Sequence, residues 1–286
     1  MWDRPRPFRS SRRIVYLMAL AGIAVLMVST AGCGGHPRPQ ASRTRRESAT
    51  PLPSPASGAS HPASPVESHL LTSAQLAAIP SFPPPPPAVA VEVPTGPLAG
   101  WYSAIPTHQR VAFITIDDGW VKSPLALPLL RAAHVPVTLF LMINAIHSNV
   151  GYFAPMRQAG AVIEAHTITH IELKGMPYAA QKREICGGAE QLKQFYGRRP
   201  TLFRPPFGAK DATTLRAVHD CGLKAAFFWK ETTDKGIVRY QVGNAVRPGD
   251  IILMHFRPAF VKDFLAVLHA IAKAGLTPAL LENYIR

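Results

Sequence analysis

Residues 111–119 read VAFITIDDG, a nearly unbroken apolar run that ends in two carboxylates and a glycine. Consecutive apolar side chains of this kind indicate a β-strand that is buried on both faces, as strands of parallel sheets are. Two adjacent carboxylates at the end of such a strand are costly unless a cation balances them. Asp117 and Asp118 are therefore candidate functional residues, although Asp-Asp-Gly by itself is also an ordinary turn signal.

Five more short apolar runs follow this one, and helical patterns lie between them. We predict strands at Val111–Ile116, Val137–Met142, Ala161–His166, Leu202–Arg204, Leu223–Trp229 and Ile251–His255. We predict helices near Pro124–Ala133, Tyr152–Ala159, Pro177–Tyr196, Asp211–Cys221 and Ala259–Ala274. Short apolar strands that alternate with helices favour a parallel α/β fold, either a barrel or an open sheet. In both, functional residues collect at the carboxyl ends of the strands.

Polar side chains follow three of the other predicted strands. His166 and His170 come after the third strand, and two histidines four residues apart suit a divalent metal if the chain turns helically there. One aspartate oxygen would complete a two-histidine, one-carboxylate set. Arg204 follows the fourth strand, where a guanidinium can brace a carboxylate, and His255 ends the last strand. Each has an ordinary structural explanation alone, but their shared position at strand ends indicates one site.

The first 33 residues have the composition of an export signal. Five arginines precede an uncharged apolar run, which is typical of a secretory signal peptide. The sequence Thr-Ala-Gly-Cys at residues 30–33 resembles a lipobox, so we expect Cys33 to be lipidated. The alternative is an uncleaved membrane anchor, because the run is long enough to span a bilayer. In both cases we expect an exported, membrane-anchored protein of the bacterial cell envelope.

Residues 34–97 differ in composition from the rest of the chain. They hold 15 of its 29 prolines and lack hydrophobic periodicity. Such a segment buries too little apolar surface to offset its chain entropy, so we expect a disordered, semi-rigid linker. Within it, only residues 70–79 have the pattern of a short helix. Residues 98–286 are then expected to form one catalytic domain, which is long enough to build a substantial core.

The chain is basic, with 31 Lys and Arg against 17 Asp and Glu and a formal net charge of +14. The excess is spread along the chain, without a basic block or a nucleic-acid-binding motif, so we expect no nucleic-acid partner. An anionic cell-wall polymer or a membrane surface fits this charge better. No phosphate-cradling glycine loop follows any predicted strand, which argues against phosphoryl transfer. We expect a monomer.

Two cysteines, Cys186 and Cys221, remain beyond the export signal. In an oxidising compartment they could form a disulfide. Each lies in a predicted helix beside a glycine, so two separate buried thiols are an equal alternative. Their spacing is not that of a zinc knuckle, which argues against a metal role.

Four motifs, taken in chain order, resemble those of the NodB-homology polysaccharide deacetylases, which form carbohydrate esterase family four. They are TIDDG (residues 115–119), HTITH (residues 166–170), RPPF (residues 204–207) and LMH (residues 253–255). The resemblance covers about residues 110–282. It implies a distorted parallel β/α barrel with fewer than eight strands.

The resemblance also implies a metal site and a catalytic base. Asp118, His166 and His170 would hold one divalent metal ion, with zinc as the expected metal. Asp117 would be the general base that takes a proton from the attacking water, and Arg204 would orient it.

The remaining implied roles concern the acid and the substrate. His255 would protonate the departing amine, and Leu253 would line the pocket for the acetyl methyl group. Phe207 and Trp229 are candidate substrate-binding residues. Other aromatic side chains that either stack on sugar rings or belong to the core are Trp120, Tyr178 and Phe256.

One family motif is altered in this chain. Where the family has an Asp-x-x-Asp-Trp-like segment that tunes the acid histidine, residues 228–236 read FWKETTDKG. Asp234 is the first candidate partner of His255, and Glu231 is the second. The departure leaves the predicted metal ligands intact.

The function predicted from these motifs is removal of N-acetyl groups from an amino sugar polymer, such as peptidoglycan or a chitin-like glycan. One alternative is an O-acetyl esterase acting on a polysaccharide such as acetylated xylan, because the same site can cleave an ester. Another is a non-catalytic glycan-binding module of the cell envelope, for which the altered segment at residues 228–236 is the support.

Overall fold

The computed structural model describes residues 70–286. The predicted signal peptide, its lipidation site Cys33 and the first part of the predicted linker therefore lie outside the described residues. The strands are β1 (Gly100–Tyr102), β2 (Val111–Asp118), β3 (Val137–Leu141), β4 (Ala161–Ala165), β5 (Leu202–Phe203), β6 (Ala225–Phe227), β7 (Glu231–Asp234), β8 (Ile237–Tyr240), β9 (Ile251–His255) and β10 (Thr277–Pro278). The α-helices are α1 (Ser73–Ala77), α2 (Ala126–Ala133), α3 (Ile143–Ile146), α4 (Ala154–Gln158), α5 (Tyr178–Tyr196), α6 (Ala212–Asp220) and α7 (Phe260–Lys273).

The strands form one curled sheet in the order β1-β6-β5-β4-β3-β2-β9-β7-β8, with β10 beside β2. Every strand pairing in this sheet is parallel except that of β7 with β8. All six predicted strands are present, and the predicted class, a distorted parallel β/α barrel, is confirmed. Four short strands that the sequence did not predict, β1, β7, β8 and β10, extend the sheet to ten.

Alternate residues of β2 enter two separate apolar clusters. Ile114 and Ile116 pack with the helices, whereas Val111 and Phe113 pack with the end of the chain around Tyr284. Both faces of the strand are therefore buried, which explains its unbroken apolar sequence. Burial of a side chain such as Phe113 stabilises the fold by about 1.5–3 kcal/mol.

The strand register brings the predicted functional residues to one edge. Asp117 on β2 lies beside His255 on β9, and Ala165 on β4 lies beside Phe203 on β5. The residues that follow β4 and β5 are therefore neighbours as well.

Among residues 70–286, no helix combines the length and the apolar character needed to cross a bilayer.

The described part of the predicted linker packs on residues of the predicted catalytic domain. Helix α1 begins at a capping box formed by Thr72 and Gln75, which confirms the short helix expected within residues 70–79. Val91 pairs with Ile285 in a parallel bridge. Scattered apolar residues and backbone groups of a proline-rich segment can still dock on an existing domain, although the segment cannot build a core of its own.

A disulfide joins Cys186 of α5 to Cys221 at the end of α6, with the two Cα atoms 5.1 Å apart. The alternative that the sequence left open is thereby decided in favour of pairing. Because α5 and α6 belong to the helical layer beside β4 and β6, the bond fixes two helices that would otherwise contact only through side chains.

Reducing this disulfide should destabilise the domain. The two cysteines are 35 residues apart, and a loop of that length corresponds to about 3–4 kcal/mol of unfolding free energy. Urea unfolding of the oxidised and the reduced protein measures the difference. A Cys186→Ser/Cys221→Ser variant is the control and should unfold like reduced protein whether or not reductant is present. Equal midpoints for oxidised and reduced protein would contradict the prediction.

Candidate active site

Three side chains from two strand ends converge at the carboxyl edge of the sheet. The Nε2 atoms of His166 and His170 each lie 3.4 Å from Oδ1 of Asp118. One ligand atom from each residue falls within 4.8 Å of the others, so the three could hold one metal ion. Asp118 ends β2, whereas the histidines belong to the loop after β4. The predicted metal-ligand set is thus assembled as a geometric cluster.

Hydrogen bonding prepares His166 for a ligand role. Its Nδ1 atom lies 2.7 Å from the backbone carbonyl oxygen of Arg204. Because a carbonyl oxygen only accepts, Nδ1 carries the proton, and the lone pair of Nε2 faces Asp118. A second partner of this kind fixes the tautomer and orientation of metal-ligating histidines.

The charges of the cluster also suit a cation. Oδ1 of Asp118 is buried and has no hydrogen-bond partner among residues 70–286. Burial opposes its charge, but the nearby His166 imidazole keeps the pKa of the Asp118 carboxyl below its ordinary value. Burial likewise disfavours charge on His166, yet Asp117 and Asp118 raise the pKa of that imidazole. The two carboxylates that raise the pKa of His166 also offer negative charge to a divalent ion, so the residues fit a metal.

The backbone around the cluster adopts left-handed conformations, which residues other than glycine rarely adopt. The φ angles are 72° at Asp118, 69° at Thr167, 62° at His170 and 59° at Phe207. Such conformations cost about 1–3 kcal/mol each and persist where the surrounding structure holds them. Their clustering here sets this edge of the sheet apart from the rest of the described chain.

Asp117 and Arg204 form a buried ion pair beside the cluster. Nη1 of Arg204 donates to Oδ1 of Asp117 at 2.8 Å and to the hydroxyl of Thr115 at 2.7 Å. Nη2 donates to the backbone carbonyl of Phe228 at 3.1 Å. The guanidinium carbon lies 4.5 Å from the ring centre of Phe140. The predicted brace of Asp117 by Arg204 is therefore present as a contact.

His255 lies on the other side of Asp117. The register of β2 and β9 pairs these two residues directly. Burial lowers the pKa of His255 against the opposing charges of Asp117 and Asp118. Its Nδ1 atom is buried and has no hydrogen-bond partner within the described part of the chain.

Among residues 70–286, Asp234, the predicted partner of His255, makes no hydrogen bond to its Nδ1 atom. The Asp234 carboxylate is solvent-accessible and lies 4.0 Å from Nη1 of Arg257. It ends β7 where the chain turns into β8, so its side chain faces the surface.

Glu231, the second candidate, lies at the far end of the strand. It pairs with Ile252 near the start of β9, which places it about 10 Å along the strand from His255. It faces Asp250 instead.

The predicted substrate-binding residues surround the cluster to different extents. Leu253 is buried beside Thr115. Phe207 is 64% exposed and its ring centre lies 4.7 Å from that of His170. Trp229 is half-buried, stacks on Phe228 and lies near Arg204.

The other aromatic residues divide clearly. Trp120, directly after the Asp-Asp-Gly turn, is 57% exposed. Phe256 is a core residue, packed between Phe153 and Phe260. Tyr178 donates its hydroxyl proton to Asp220 on α6 and belongs to the helical surface. Phe207, Trp229 and Trp120 therefore stay close to the site.

Three polar residues at the site were missed by the sequence reasoning. The hydroxyl of Thr115 donates to the carbonyl of Ile252 and accepts from Arg204. The hydroxyl of Thr167 accepts from the backbone N–H of His170. Glu184 of α5 accepts from two amides of the histidine loop. The alternation of β2 places Thr115 on the same face as Asp117, which was the one signal available in the sequence.

A candidate metal site beside a buried carboxylate–arginine pair, at the strand ends of a parallel α/β sheet, is the arrangement of a metal-assisted hydrolase. Residues 104–226 match the family model described as Polysaccharide deacetylase. The chain belongs to the polysaccharide deacetylase family.

Two relatives illustrate the breadth of this family. The chain is 38% identical over 185 residues to the uncharacterized protein SCO4760 of Streptomyces coelicolor. The aligned region covers 63% of this chain and 74% of the relative. It is 30% identical over 148 residues to a bifunctional xylanase/xylan deacetylase of Cellvibrio japonicus. That match covers 50% of this chain and 22% of the relative.

Solved structures share the fold at low sequence identity. The Bc1960 peptidoglycan N-acetylglucosamine deacetylase is 20% identical, with a TM-score of 0.57 over 66% of this chain and 93% of its own. BA3943 of Bacillus anthracis, a pseudoenzyme of carbohydrate esterase family four, is 16% identical, with a TM-score of 0.54 over 63% of this chain and 67% of its own. Because an enzyme and a pseudoenzyme both match, the fold alone does not decide activity.

Replacing Arg204 with methionine should destabilise the domain strongly. The change leaves the Asp117 carboxylate buried without its cation, which we expect to lower the free energy of unfolding by about 3–5 kcal/mol. Urea unfolding measures the loss. A second change, Asp117→Asn, should restore part of it. Arg216→Met is the control, because Arg216 is exposed on α6 and 3.6 Å from Asp220. A loss no larger than the control's would contradict the prediction.

Glu231 should make stability depend on pH. Burial and the neighbouring Asp250 raise the pKa of Glu231 from 4.5 to about 9. The folded protein then keeps a proton that the unfolded chain releases, so the free energy of unfolding falls as pH rises from 5 to 9. One proton accounts for at most about 1.4 kcal/mol per pH unit.

Urea unfolding at pH 5, 7 and 9 measures this slope. Glu231→Gln keeps the neutral form and should flatten it. Glu190→Gln, which changes an exposed carboxylate paired with Arg199, should leave the slope unchanged. Equal slopes for wild type and Glu231→Gln would show that Glu231 is not the group responsible.

Proposed function

We propose that this protein is a zinc-dependent deacetylase that removes N-acetyl groups from an amino sugar polymer such as peptidoglycan. The observation that carries the proposal is the convergence of Asp118, His166 and His170 next to Asp117 and His255. Family membership supports hydrolytic deacetylation of a polysaccharide. The proposal goes further by specifying that the cleaved bond is an N-acetyl amide, that the metal is zinc, and which role each site residue has.

A divalent ion held by Asp118, His166 and His170 supplies a lowered water pKa and a polarised substrate carbonyl. Zinc suits a set of two imidazoles and one carboxylate. Asp117 accepts the proton of the attacking water, because it lies beside the ligand cluster, with Oδ2 3.8 Å from Nε2 of His166. Arg204 occupies Oδ1 of the same carboxylate and thereby fixes its orientation.

His255 donates a proton to the departing amine nitrogen. It is placed on β9 beside Asp117. Burial lowers the pKa of its imidazole, which makes the protonated ring a stronger acid, while the negative charges of Asp117 and Asp118 oppose the loss of its proton. A base and an acid on two sides of one carbonyl divide the proton transfers of amide hydrolysis. Leu253 borders the acetyl methyl group, and Phe207 and Trp229 offer faces on which sugar rings can stack.

Three observations favour other substrates or roles. The relative named as a xylanase/xylan deacetylase supports an O-acetyl esterase, since an ester is cleaved by the same steps with a better leaving group. Two observations support a non-catalytic glycan-binding module. The Nδ1 atom of His255 has no hydrogen-bond partner among residues 70–286, and the fold matches that of a pseudoenzyme. The intact ligand cluster and the buried Asp117–Arg204 pair weigh against the second alternative.

We further propose that the protein is exported and acts as a monomer in the bacterial cell envelope. The support is the sequence of residues 1–33, with lipidation at Cys33 or an uncleaved anchor as the attachment. A disulfide in the domain agrees with an oxidising compartment.

Acetate release from N-acetylglucosamine oligomers and from peptidoglycan tests the proposal. We expect release that chelation abolishes and zinc restores. Asp118→Asn should lose both zinc and activity, because it removes the charge of one ligand. Asp117→Asn should keep zinc and lose activity by about 10²–10⁴-fold, the usual contribution of a general base.

Asp220→Asn is the control, since Asp220 is an exposed carboxylate on α6 and should keep full activity. Acetylated xylan assayed in parallel separates the ester alternative. Glycan binding without acetate release, from protein that holds zinc, would favour the binding module. Full activity of Asp118→Asn would show that the metal site is misassigned.

A further inference from the structure

Glu184 makes contacts that no motif predicts. It lies in the second turn of α5 and is 6% exposed. Its Oε2 atom accepts from the backbone N–H of Ile168 at 3.1 Å and of Thr169 at 2.9 Å. Both amides belong to the loop between His166 and His170. Two backbone N–H donors thus compensate the burial of this carboxylate, and hydrogen bonds to a charged acceptor are stronger than those between neutral groups.

The loop that Glu184 binds needs external support. Thr167 and His170 have φ angles of 69° and 62°, and such residues keep these conformations only where the surroundings impose them. Within the loop, the Thr167 hydroxyl accepts from the N–H of His170. From outside the loop, the backbone N–H groups of Ile143 and Asn144 donate to its carbonyl oxygens. Glu184 is the side chain that binds its amides, those of Ile168 and Thr169.

Helix α5 lies unusually close to the same loop. A Cβ atom at Gly188 would meet the carbonyl carbon of Thr167 at 3.0 Å, and one at Gly187 would meet Cδ1 of Ile168 at 2.8 Å. Two adjacent glycines inside a helix cost about 0.5–1 kcal/mol each. Here they allow the helix backbone to reach the loop, so that the side chain of Glu184 can span the remaining distance.

The disulfide fastens this part of the helix. Cys186 lies in sequence between Glu184 and the two glycines and is bonded to Cys221 at the end of the neighbouring helix α6. The contact surface for the loop is thus fixed in place by a covalent bond.

We propose that Glu184 is a positioning residue for the metal site. By holding the amides of Ile168 and Thr169 against α5, it keeps His166 and His170 directed at Asp118. The inference rests on the proposed function in that the cluster holds a divalent ion. It adds that metal affinity depends on a carboxylate that touches neither the metal nor the substrate.

Zinc affinity of the chelator-stripped protein tests this, by competition with a chromophoric chelator. We expect Glu184→Ala to raise the zinc Kd by about 10–100-fold, as changes behind metal ligands do. Hydrogen exchange of the Ile168 and Thr169 amides should accelerate in the same variant. Glu184→Gln keeps an acceptor oxygen without the charge and should give a smaller rise in Kd and a smaller acceleration. Glu190→Ala, on the same helix but exposed and bonded to Arg199, should match wild type.

An unchanged zinc Kd in folded Glu184→Ala would overturn the proposal, as would unchanged exchange at the two amides. If Glu184→Ala does not fold, Glu184→Gln decides, because a wild-type Kd together with wild-type exchange would again overturn it. These readouts need no substrate, so a protein without deacetylase activity can still support the role of Glu184. Wild-type protein that binds no zinc would overturn both this inference and the metal site of the proposed function.

Discussion

The buried side chain of Arg204 is the contact on which both parts of the candidate site depend. Its guanidinium donates to Asp117 and Thr115 on β2 and to the carbonyl of Phe228 beyond β6. Its own backbone carbonyl accepts from His166 beyond β4. One residue therefore fixes the candidate base and one candidate metal ligand relative to each other. The parallel sheet makes this possible, because it delivers all these residues to one edge.

The site concentrates charge that a protein interior would otherwise disfavour. Asp117 is balanced by Arg204, but Oδ1 of Asp118 is buried without a hydrogen-bond donor in the part of the chain that the structure describes. Four residues at the site also hold left-handed backbone conformations. These are unfavourable features unless a cation is bound and the surroundings are rigid. The ion pair, the disulfide-fixed helix α5 and the carboxylate of Glu184 supply that rigidity. The role inferred for Glu184 is to supply part of this rigidity, because it holds the loop that carries His166 and His170.

Much of the fold was predictable from the sequence. Parallel strands buried on both faces appear as apolar runs, and the functional residues follow their carboxyl ends. The hairpin of β7 and β8 was missed, since its strand Glu231–Asp234 alternates polar residues and has no apolar run. Contacts between distant segments were not predictable from composition. Val91 pairs with Ile285 despite its proline-rich surroundings, and Glu184 reaches its loop only through the packing of a helix. The position of Asp234 relative to His255 was not predictable either, because motif spacing does not fix where the hairpin of β7 and β8 turns.

The most direct test of the metal site is a crystal structure of the zinc-loaded protein, with anomalous diffraction measured on both sides of the zinc absorption edge. We expect one anomalous peak per chain, bonded to Oδ1 of Asp118 and to the Nε2 atoms of His166 and His170, at about 2.0–2.2 Å. A zinc ion bound elsewhere, or one that leaves Asp118 without a metal contact, would contradict the assignment of this cluster as the catalytic centre.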